Sequence, residues 1–343
     1  MSKVTSYKMP AEWEPHEGTW IAWPHNKRHW PGNFEPIPRL YAEMVKALAE
    51  SEKVFICIND KKAQKEAEKI LHEKKVTKKQ LKNIKFFKIR TNSTWTRDYG
   101  AIFVRDEKGK LVITDWIFNA WGEKYPPWES DDIVPQKIGK IFKTKVVKPE
   151  IILEGGSIEV NGKGVLLTTE ECIFARNPKL SRKQIEGYFK KYLGIEKTLW
   201  LGKGATGDET DGHIDAIARF VNPKTIACVV EKNPKDANYK TLKKNFEELK
   251  KMIDQEGKPF KIIALPTPKP VMFKGQKLPA NYANFYIGNT IVLIPTFGCE
   301  QDQEVKKILS KFFPTRKMVG IDCKELVWGY GAFHCSTQQH PKE

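Results

Sequence analysis

Helical and strand patterns alternate along the whole of this 343-residue chain, and this alternation is typical of a mixed α/β fold. Apolar residues recur at helical spacing over 40–48, and the strand-sized apolar run Val54–Ile58 follows directly. The runs Ile158–Val160 and Val165–Leu167 are joined only through Asn161–Gly164, which suits an antiparallel hairpin. We therefore expect partly antiparallel sheets rather than one purely parallel, doubly wound sheet.

Capping residues and apolar spacing predict further helices. Asp60 can cap a helix, Ser181 with Gln184 forms a capping-box pattern, and 239–252 and 305–312 are amphipathic. The remaining β-type runs are predicted as strands at 86–89, 101–104, 111–116, 164–168, 198–201, 214–220, 226–230, 261–265, 284–287 and 290–294.

The length alone would suggest two domains, because single cores usually stop growing at about 250–300 residues. However, the sequence has no Pro/Gly/Ser-rich linker, no low-complexity tract and no abrupt change in composition. We therefore expect one domain over residues 1–343.

The chain carries no signal-peptide pattern and no apolar run long enough to cross a membrane. Its six cysteines are widely spaced and none forms a C-x-x-C pair. We therefore expect free thiols, a cytoplasmic location and no membrane partner.

The net charge of +17 raises the alternative of a non-catalytic nucleic-acid-binding protein. Most lysines, however, fall in surface-type segments mixed with glutamate and poor in stacking aromatics, such as 61–75 and 243–251. A solvated basic surface without a nucleic-acid partner is the favoured interpretation. Any site for a cationic ligand must then carry its own carboxylates.

Residues Gly202–Gly207 match the G-x-G-x-x-G pattern of dinucleotide-binding loops. Such a loop must open a helix that receives the pyrophosphate, whereas here the acidic turn Asp208–Gly212 follows. We therefore predict no organic cofactor.

The acidic turn leads to His213 and Asp215, which we expect on one strand with their side chains on the same face. Three interpretations stay open for this segment. It can be a structural turn, a catalytic pair, or part of a metal site, although the sequence lacks the further Cys/His cluster that a metal would need.

Two other segments combine functional side chains. Trp95 lies just before Arg97 and Asp98, which could simply form a buried ion pair beside the indole. Glu154 follows an apolar strand-like run and precedes Gly155-Gly156, which lets another group approach the backbone closely. A buried carboxylate there must cap locally or meet a cation.

Near the C-terminus, Cys335 follows a glycine-rich stretch and His334. A lone cysteine is usually a small core residue, but these surroundings favour a nucleophile. On an extended strand His334 would point to the opposite face, so we expect His213 to be the partner base.

Together these residues resemble the agmatine deiminases, which belong to the guanidine-modifying (pentein) superfamily. The resemblance covers nearly the whole chain, through Met9–His16, Trp20–His25, Arg97–Gly100, Phe118–Gly122, Lys124–Trp128, Leu153–Ser157, Asp208–Asp215, Asn284–Tyr286, His334–Cys335 and Thr337–Gln339. It departs from the family pattern at Ser93, Ala101, Tyr330 and Ala332.

The resemblance implies an α/β propeller of five ββαβ-like units around a pseudo-fivefold axis, with the active site on the axis and a homo-oligomer of two or more chains. It implies hydrolysis of agmatine to N-carbamoylputrescine and ammonia, a step in polyamine and putrescine biosynthesis, with no metal or cofactor. Alternative activities are a deiminase for free or peptidyl arginine and a Cys–His peptide hydrolase.

The implied roles fall on six residues. Cys335 attacks the guanidinium carbon and forms a covalent thiouronium, while His213 transfers protons. Asp98 and Asp215 clamp the guanidinium, and Glu154 orients His213 or adds to the clamp. Trp95 is expected to form a wall of the substrate pocket.

Overall fold

A computed structural model describes residues 6–343 of the chain. Its strands form five sheets of one repeated pattern, together with a separate two-stranded hairpin. The strands are β1 His16–Ala22, β2 Lys53–Ile58, β3 Ile84–Lys88, β4 Ile102–Arg105, β5 Leu111–Thr114, β6 Lys145–Val147, β7 Ile158–Val160, β8 Val165–Thr169, β9 Lys197–Leu201, β10 Ala218–Asn222, β11 Thr225–Val230, β12 Lys261–Pro266, β13 Met272–Phe273, β14 Gln276–Lys277, β15 Tyr286–Ile287, β16 Ile291–Thr296, β17 Lys317–Asp322 and β18 Gln338–Pro341.

The helices lie mainly between the second and third strands of these sheets. The α-helices are α1 Ile37–Leu48, α2 Lys61–Glu73, α3 Lys78–Asn83, α4 Thr96–Tyr99, α5 Ala120–Glu123, α6 Glu129–Asp132, α7 Val134–Phe142, α8 Glu170–Arg176, α9 Arg182–Leu193, α10 Tyr239–Leu249 and α11 Gln301–Ser310. Short 3-10 turns cover Lys27–His29, Gly155–Ser157, Ile214–Ala216 and Leu326–Gly329. None of the helices in the described residues is long and apolar enough to cross a membrane.

Each unit begins with an antiparallel pair and ends with a parallel strand reached through a helix. The orders β4-β5-β6, β7-β8-β9, β10-β11-β12 and β15-β16-β17 all follow this rule. The parallel step needs a long crossover, which α7, α8–α9, α10 and α11 supply. These are the ββαβ units that the resemblance predicted.

The fifth copy of the pattern joins the two ends of the chain. Strand β18 pairs antiparallel with β1, with Thr19 opposite Gln339, and β1 pairs in parallel with β2 through α1. Strand β3 extends this sheet by one more parallel strand. The C-terminal strand therefore opens the unit that the N-terminal strands complete, and the five units close around a pseudo-fivefold axis.

Apolar strands and amphipathic helix faces build the core. Trp20, Ile21 and Ile56 are fully buried in the sheet that closes the ring, and α1 packs against it with Tyr41 and Met44 at no exposure. The capping predictions are confirmed, since Asp60 accepts from the backbone at the start of α2 and Ser181 forms a capping box at α9.

Several predicted boundaries were wrong. Helix α10 ends at Leu249 rather than at 252, and α11 ends at Ser310 rather than at 312. The predicted strand 214–220 is instead a 3-10 turn followed by β10, which begins at Ala218. This last correction changes how His213 and Asp215 are oriented.

Candidate active site

The first strand of each unit is preceded by a short irregular segment, and these five segments meet near the axis. They precede β4, β7, β10, β15 and β18, and they carry Asp98, Glu154, His213 with Asp215, Asn284 and Cys335 respectively. Because such segments carry few of the sheet hydrogen bonds, their polar side chains are free to point toward one another. The repeated fold thus concentrates functional groups at a single place.

Cys335 lies in a tight turn and is held by Asn284. The Asn284 amide donates to Cys335 Sγ at 3.1 Å, while its Oδ1 accepts from the Cys335 backbone N–H at 3.2 Å. Arg97 N–H donates to the Cys335 carbonyl at 3.1 Å and fixes the other side of the turn. The thiol is 9% exposed, so it is reachable but largely desolvated.

The surroundings of Cys335 favour its neutral thiol. Burial raises the pKa of Cys335 well above its usual value, and the carboxylates of Asp215 and Asp98 raise it further. Asp215 Oδ2 is 3.6 Å from Sγ. A cation placed between these carboxylates and the sulfur would reverse this effect and favour the thiolate.

His213 ends the acidic turn and precedes the 3-10 turn at Ile214–Ala216. Its Nε2 is 3.0 Å from Glu154 Oε2, and its Nδ1 is 3.6 Å from Asp98 Oδ1. Within residues 6–343, the buried Nδ1 has no hydrogen-bond partner. Burial lowers the pKa of His213, but the charge of Asp98 and the contacts with Cys172 and Glu154 outweigh burial and raise that pKa well above its usual value.

The expectation that His213 and Asp215 share a strand face was wrong in its geometry. Both lie in or beside the 3-10 turn, because strand pairing begins only at Ala218. The two side chains nevertheless line one cavity together with Cys335. The turn, rather than strand alternation, brings them to the same place.

Gly156 explains how close His213 and Asp98 come to the backbone just before β7. Its N–H donates to Asp98 Oδ1 at 3.0 Å. A Cβ at this position would lie 2.5 Å from His213 Nδ1 and 2.7 Å from Asp98 Oδ1. The predicted close approach at Gly155-Gly156 is therefore confirmed, and the groups that approach Gly156 are the ionisable side chains of His213 and Asp98.

Asp98 is fixed by two donors and is strongly desolvated. Trp121 Nε1 donates to its Oδ2 at 2.9 Å, opposite the bond from Gly156 to Oδ1. Burial raises the pKa of Asp98 to about 6, with repulsion from Asp215 and Glu154 adding to the rise and His213 opposing it.

Asp215 has one oxygen engaged and one buried oxygen without a partner in the described chain. Its Oδ2 accepts from the Asn284 amide at 3.2 Å and lies 2.7 Å from His334 Nδ1. Its Oδ1 has no hydrogen-bond partner among residues 6–343. Burial would raise the pKa of Asp215, but the hydrogen bond and charge of His334, with His213 and Arg219, leave it lowered.

His334 does not lie on an extended strand, so that expectation was wrong. Residues 333–336 form a turn, and His334 points toward the axis with Nδ1 at Asp215 and Nε2 2.8 Å from Glu12 Oε2. The side chain is 1% exposed. His334 therefore belongs to the same polar cluster as Cys335, but both of its nitrogens are paired.

Glu12 is the largest omission of the sequence reasoning about the site. Its Oε1 accepts from Arg219 and from the Ile287 backbone N–H, each at 2.9 Å, and its Oε2 accepts from Arg97 at 2.9 Å. Burial would raise the pKa of Glu12, but Arg219, His334 and Arg97 hold it well below its usual value. Glu12 and Asn284 both lie in segments that carry the family resemblance, and that was the available signal.

Glu154 is paired on both sides. Arg176 Nε donates to its Oε1 at 2.6 Å, and its Oε2 faces His213 and, at 3.6 Å, Cys172 Sγ. The donor atoms of Glu154, Cys172 and His213 lie within 4.8 Å of one another, which is close enough for a metal ion. The Arg176 guanidinium against Glu154 disfavours a second cation, and burial raises the pKa of Cys172 to about 11.

Two cavities reach Cys335. The aromatic cavity has a volume of about 260 Å³ and is lined by Asp98, Cys335 and a set of large rings. The rings belong to Trp95, Trp121, Tyr125, Trp328 and Tyr330. Trp95 is thus a wall residue next to Asp98 and Cys335.

The second cavity, called here the polar cavity, has a volume of about 270 Å³. Its lining includes Cys335, His213 and Asp215, together with Glu231 and Thr267. The inner ends of the two cavities meet at the sulfur. This arrangement suits a planar cation held between carboxylates, with a nucleophile on one side and a proton donor nearby.

Comparison with known proteins gives a consistent result. The model of the Porphyromonas-type peptidyl-arginine deiminase family matches residues 8–341. A protein of Legionella pneumophila is 36% identical to this chain over 99% of this chain and 96% of its own length.

Two solved structures are similar over almost their whole length. One is a cysteine-to-serine variant of the C. jejuni agmatine deiminase with substrate bound, at 36% identity and a TM-score of 0.89, covering 98% of this chain and 97% of that one. The other is the agmatine deiminase of Enterococcus faecalis, at 32% identity and a TM-score of 0.91, covering 98% and 96%.

Proposed function

The chain belongs to the Porphyromonas-type peptidyl-arginine deiminase family, and from this premise we propose that it is an agmatine deiminase that uses Cys335 as its nucleophile. The observation that carries the proposal is the set of unsatisfied buried groups beside the thiol. Within the described chain, Asp215 Oδ1 and His213 Nδ1 have no partner, and both residues line the cavity that reaches Cys335.

The clamp follows from this electrostatic arrangement. A guanidinium is planar, delocalised and protonated near neutral pH, so it binds best between carboxylates that accept its N–H groups. Asp98 and Asp215 supply such carboxylates on either side of Cys335. A bound guanidinium would satisfy Asp215 Oδ1 and would offset the charge that raises the pKa of Cys335.

The aromatic cavity supports a site for the rest of agmatine. Its rings can cover the aliphatic chain, and ammonium groups are attracted to ring faces. Glu209 lies in the same lining and its Oε2 accepts from Tyr125 Oη at 3.1 Å. We assign the tail ammonium to this carboxylate, at the end of the cavity away from Asp98.

The reaction then proceeds in two halves. Cys335 thiolate bonds to the guanidinium carbon, and His213, protonated between Asp98 and Glu154, gives its proton to one nitrogen, which leaves as ammonia. The thiouronium carries the positive charge. His213 next takes a proton from water, the hydroxide bonds to the carbon, and the C–S bond breaks. The remaining hydroxyl proton passes to the departing sulfur, which restores the thiol, and N-carbamoylputrescine is released.

A deiminase acting on free or peptidyl arginine is the second candidate, and one observation favours it. Arg28 lines the aromatic cavity and its guanidinium donates to the Pro126 carbonyl at 3.4 Å. A cation there suits a substrate carboxylate, whereas Glu209 suits an ammonium. Because Arg28 is exposed and Glu209 is half-buried, we weigh Glu209 more heavily.

The test is release of ammonia and ureido product from agmatine, free arginine and an arginine-containing peptide in parallel. We expect turnover of agmatine alone in buffer treated with a chelator, and its abolition by thiol alkylation. Turnover of arginine or the peptide instead would move the activity to the second candidate. Turnover that needs added metal would contradict the proposed mechanism.

Cys335→Ser is the matching variant. We expect turnover to fall by about 10⁴-fold or more, because an alcohol is a far poorer nucleophile than a thiolate, while the clamp still binds agmatine. Titration calorimetry measures the retained binding. Turnover close to that of the unmodified protein would contradict covalent catalysis by Cys335.

The proposal also covers the location, pathway, oligomeric state and partners of the enzyme. We place it in the cytoplasm, in a route to putrescine, as a homo-oligomer without membrane or nucleic-acid partners. Exposed lysines pair with glutamates, as in Lys69 with Glu73 and Lys244 with Glu248, which supports a solvated basic surface. Strongly salt-dependent retention on DNA without deiminase activity would favour the nucleic-acid alternative, and light scattering would give the oligomeric state.

A further inference from the structure

The partition between the two cavities is built from few residues. Thr210, Tyr330 and Gly331 line both cavities, and Cys335 lies where they meet. The catalytic groups are divided between them. Asp98 faces the aromatic cavity, whereas His213 lines the polar cavity together with Asp215.

Tyr330 is held in an unusual backbone conformation to form this partition. Its φ is 66°, in the left-handed region that disfavours a non-glycine residue. Its hydroxyl accepts from Gln276 Nε2 at 3.0 Å, in the β13–β14 hairpin, and its ring lies near Trp328. The Tyr330 ring therefore lies where the two cavities adjoin.

The order of the reaction steps determines which cavity water and ammonia must use. After ammonia leaves, the thiouronium still carries the substrate tail, and that tail fills the aromatic cavity. Water and ammonia must then pass on the side of His213, because that residue gives a proton to one and takes a proton from the other. The polar cavity is the space on that side.

We propose that the polar cavity is a separate passage through which ammonia leaves and the second nucleophile arrives, so that a small amine admitted there receives the amidino group in place of water. This inference rests on the proposed deiminase activity. It adds a second activity, amidino transfer to small amines, and a site for the acceptor between His213 and the polar walls at Glu231 and Thr267.

The transfer step balances with hydroxylamine as the acceptor. Its nitrogen bonds to the thiouronium carbon while His213 takes one of the nitrogen's protons, and the C–S bond then breaks. Cys335 departs as the thiolate and the product is N-hydroxyagmatine. No oxidant, reductant or metal is required, and the step differs from hydrolysis only in the atom that attacks.

The experiment measures how the intermediate divides between the two nucleophiles. The protein turns over agmatine in the presence of increasing hydroxylamine, and mass spectrometry gives the ratio of N-hydroxyagmatine to N-carbamoylputrescine. We expect this ratio to rise in proportion to hydroxylamine, and both products to vanish with Cys335→Ser.

Three variants test which cavity is the passage. Val271 lines the polar cavity and is half-buried, so Val271→Trp narrows it, whereas its neighbour Met272 is 56% exposed and lies outside that lining. Since hydroxylamine is larger than water, Val271→Trp should lower the product ratio by about threefold or more, and Met272→Trp should leave it unchanged. Tyr125→Ala, in the aromatic cavity, should raise the agmatine KM without changing the ratio.

The outcomes separate the two proposals. Formation of N-carbamoylputrescine without any N-hydroxyagmatine would overturn the passage and leave the deiminase intact. An equal ratio in the Val271→Trp and Met272→Trp variants would also overturn it, as would a raised agmatine KM in Val271→Trp, because the tail would then lie in the polar cavity. Absence of both products would remove the deiminase proposal itself.

Discussion

Two buried histidines flank the thiol, each placed between two carboxylates, yet their surroundings differ. His334 has both nitrogens paired, with Asp215 at 2.7 Å and Glu12 at 2.8 Å. His213 has one nitrogen paired with Glu154 at 3.0 Å, while its Nδ1 lies 3.6 Å from Asp98 and within residues 6–343 makes no hydrogen bond.

This difference fits the proposed roles, with His334 as a support and His213 as the proton carrier. A histidine bonded on both sides cannot exchange a proton with a substrate without breaking a buried hydrogen bond. His334 therefore orients Asp215 and the turn that carries Cys335. His213 has an available nitrogen in the cavity, so it can move a proton with little rearrangement.

Glu12, beside His334, and Glu154, beside His213, strengthen this distinction. Glu12 is bound by Arg97 and Arg219, and with Ile287 and His334 its contacts reach four units of the fold, so His334 is part of a rigid network. Glu154 is bound by one guanidinium, that of Arg176, and its other oxygen faces His213 and Cys172. The glutamate beside His334 is therefore held by two arginines, and the glutamate beside His213 by one.

The largest expected effect is the contrast between His213→Gln and His334→Gln. His213→Gln should reduce kcat by about 10²–10⁴-fold, the usual contribution of a general acid–base group. His334→Gln should instead lower the free energy of unfolding by about 1–3 kcal/mol, because a buried carboxylate loses a partner. Steady-state kinetics and urea denaturation measure the two effects.

The assignment of the two histidines is wrong if the losses of kcat and of stability are exchanged between the two variants. A His334→Gln variant that is as stable as the parent but loses as much kcat as His213→Gln would make His334 the proton carrier. The double variant of His213→Gln and His334→Gln adds a check. Additive losses of stability would keep the two histidines in separate networks, whereas non-additive losses would place them in one.

Gly156→Ala should produce the next largest effect, because it disturbs His213 without removing any ionisable group. The added Cβ would lie 2.5 Å from Nδ1, so the imidazole must shift, and a displacement of about 1 Å can cost about 100-fold in kcat/KM. The control is Gly187→Ala in α9, where nothing lies within 4 Å of the new Cβ.

Gly187→Ala should keep full activity and gain about 0.5–1 kcal/mol of stability from the better helix former. Equal activity of both alanine variants would show that the close approach at Gly156 does not position His213. Denaturation curves exclude global unfolding as the cause of any loss.

The fold was predictable because its signals are local. The short connection Asn161–Gly164 predicted an antiparallel pair, and the alternation of helix and strand patterns predicted helical crossovers. Both are observed for β7, β8 and β9. The fivefold repetition was not visible in the residues themselves, since sheet pairing depends on backbone spacing and different side chains satisfy it in each unit. That feature came from the family resemblance alone.

Within the site, sequence reasoning identified the ionisable groups but not their partners. His213 and Asp215 were expected on a strand because alternating polar and apolar residues favour one, yet the glycine before His213, with φ of 92°, belongs to a turn that delays pairing. The bonds from Glu12 to Arg219 and His334 span most of the chain, and no local pattern specifies contacts so distant in sequence.

The smallest expected effect is the pH dependence of kcat/KM. In it, Asp98 beside His213 and Asp215 beside His334 should behave differently. The pKa of Asp98, beside His213, is raised by burial to about 6, whereas that of Asp215, beside His334, is lowered because the pairing with His334 outweighs burial. Of these two carboxylates, only Asp98 should therefore lose its charge between pH 7 and 5. Because the clamp needs a carboxylate, kcat/KM should fall about tenfold per pH unit below about 6.

The free energy of unfolding should change with pH in the direction opposite to kcat/KM. Since the folded pKa of Asp98 lies above its usual value of 3.8, the group stabilises the fold when protonated, and this contribution is lost as the pH rises through about 6. Trp121→Phe removes the donor to Asp98 Oδ2 and should move the acid limb of kcat/KM to higher pH. An acid limb that stays in place would assign the titration to another group, and the two histidine environments would then no longer be distinguished by their carboxylates.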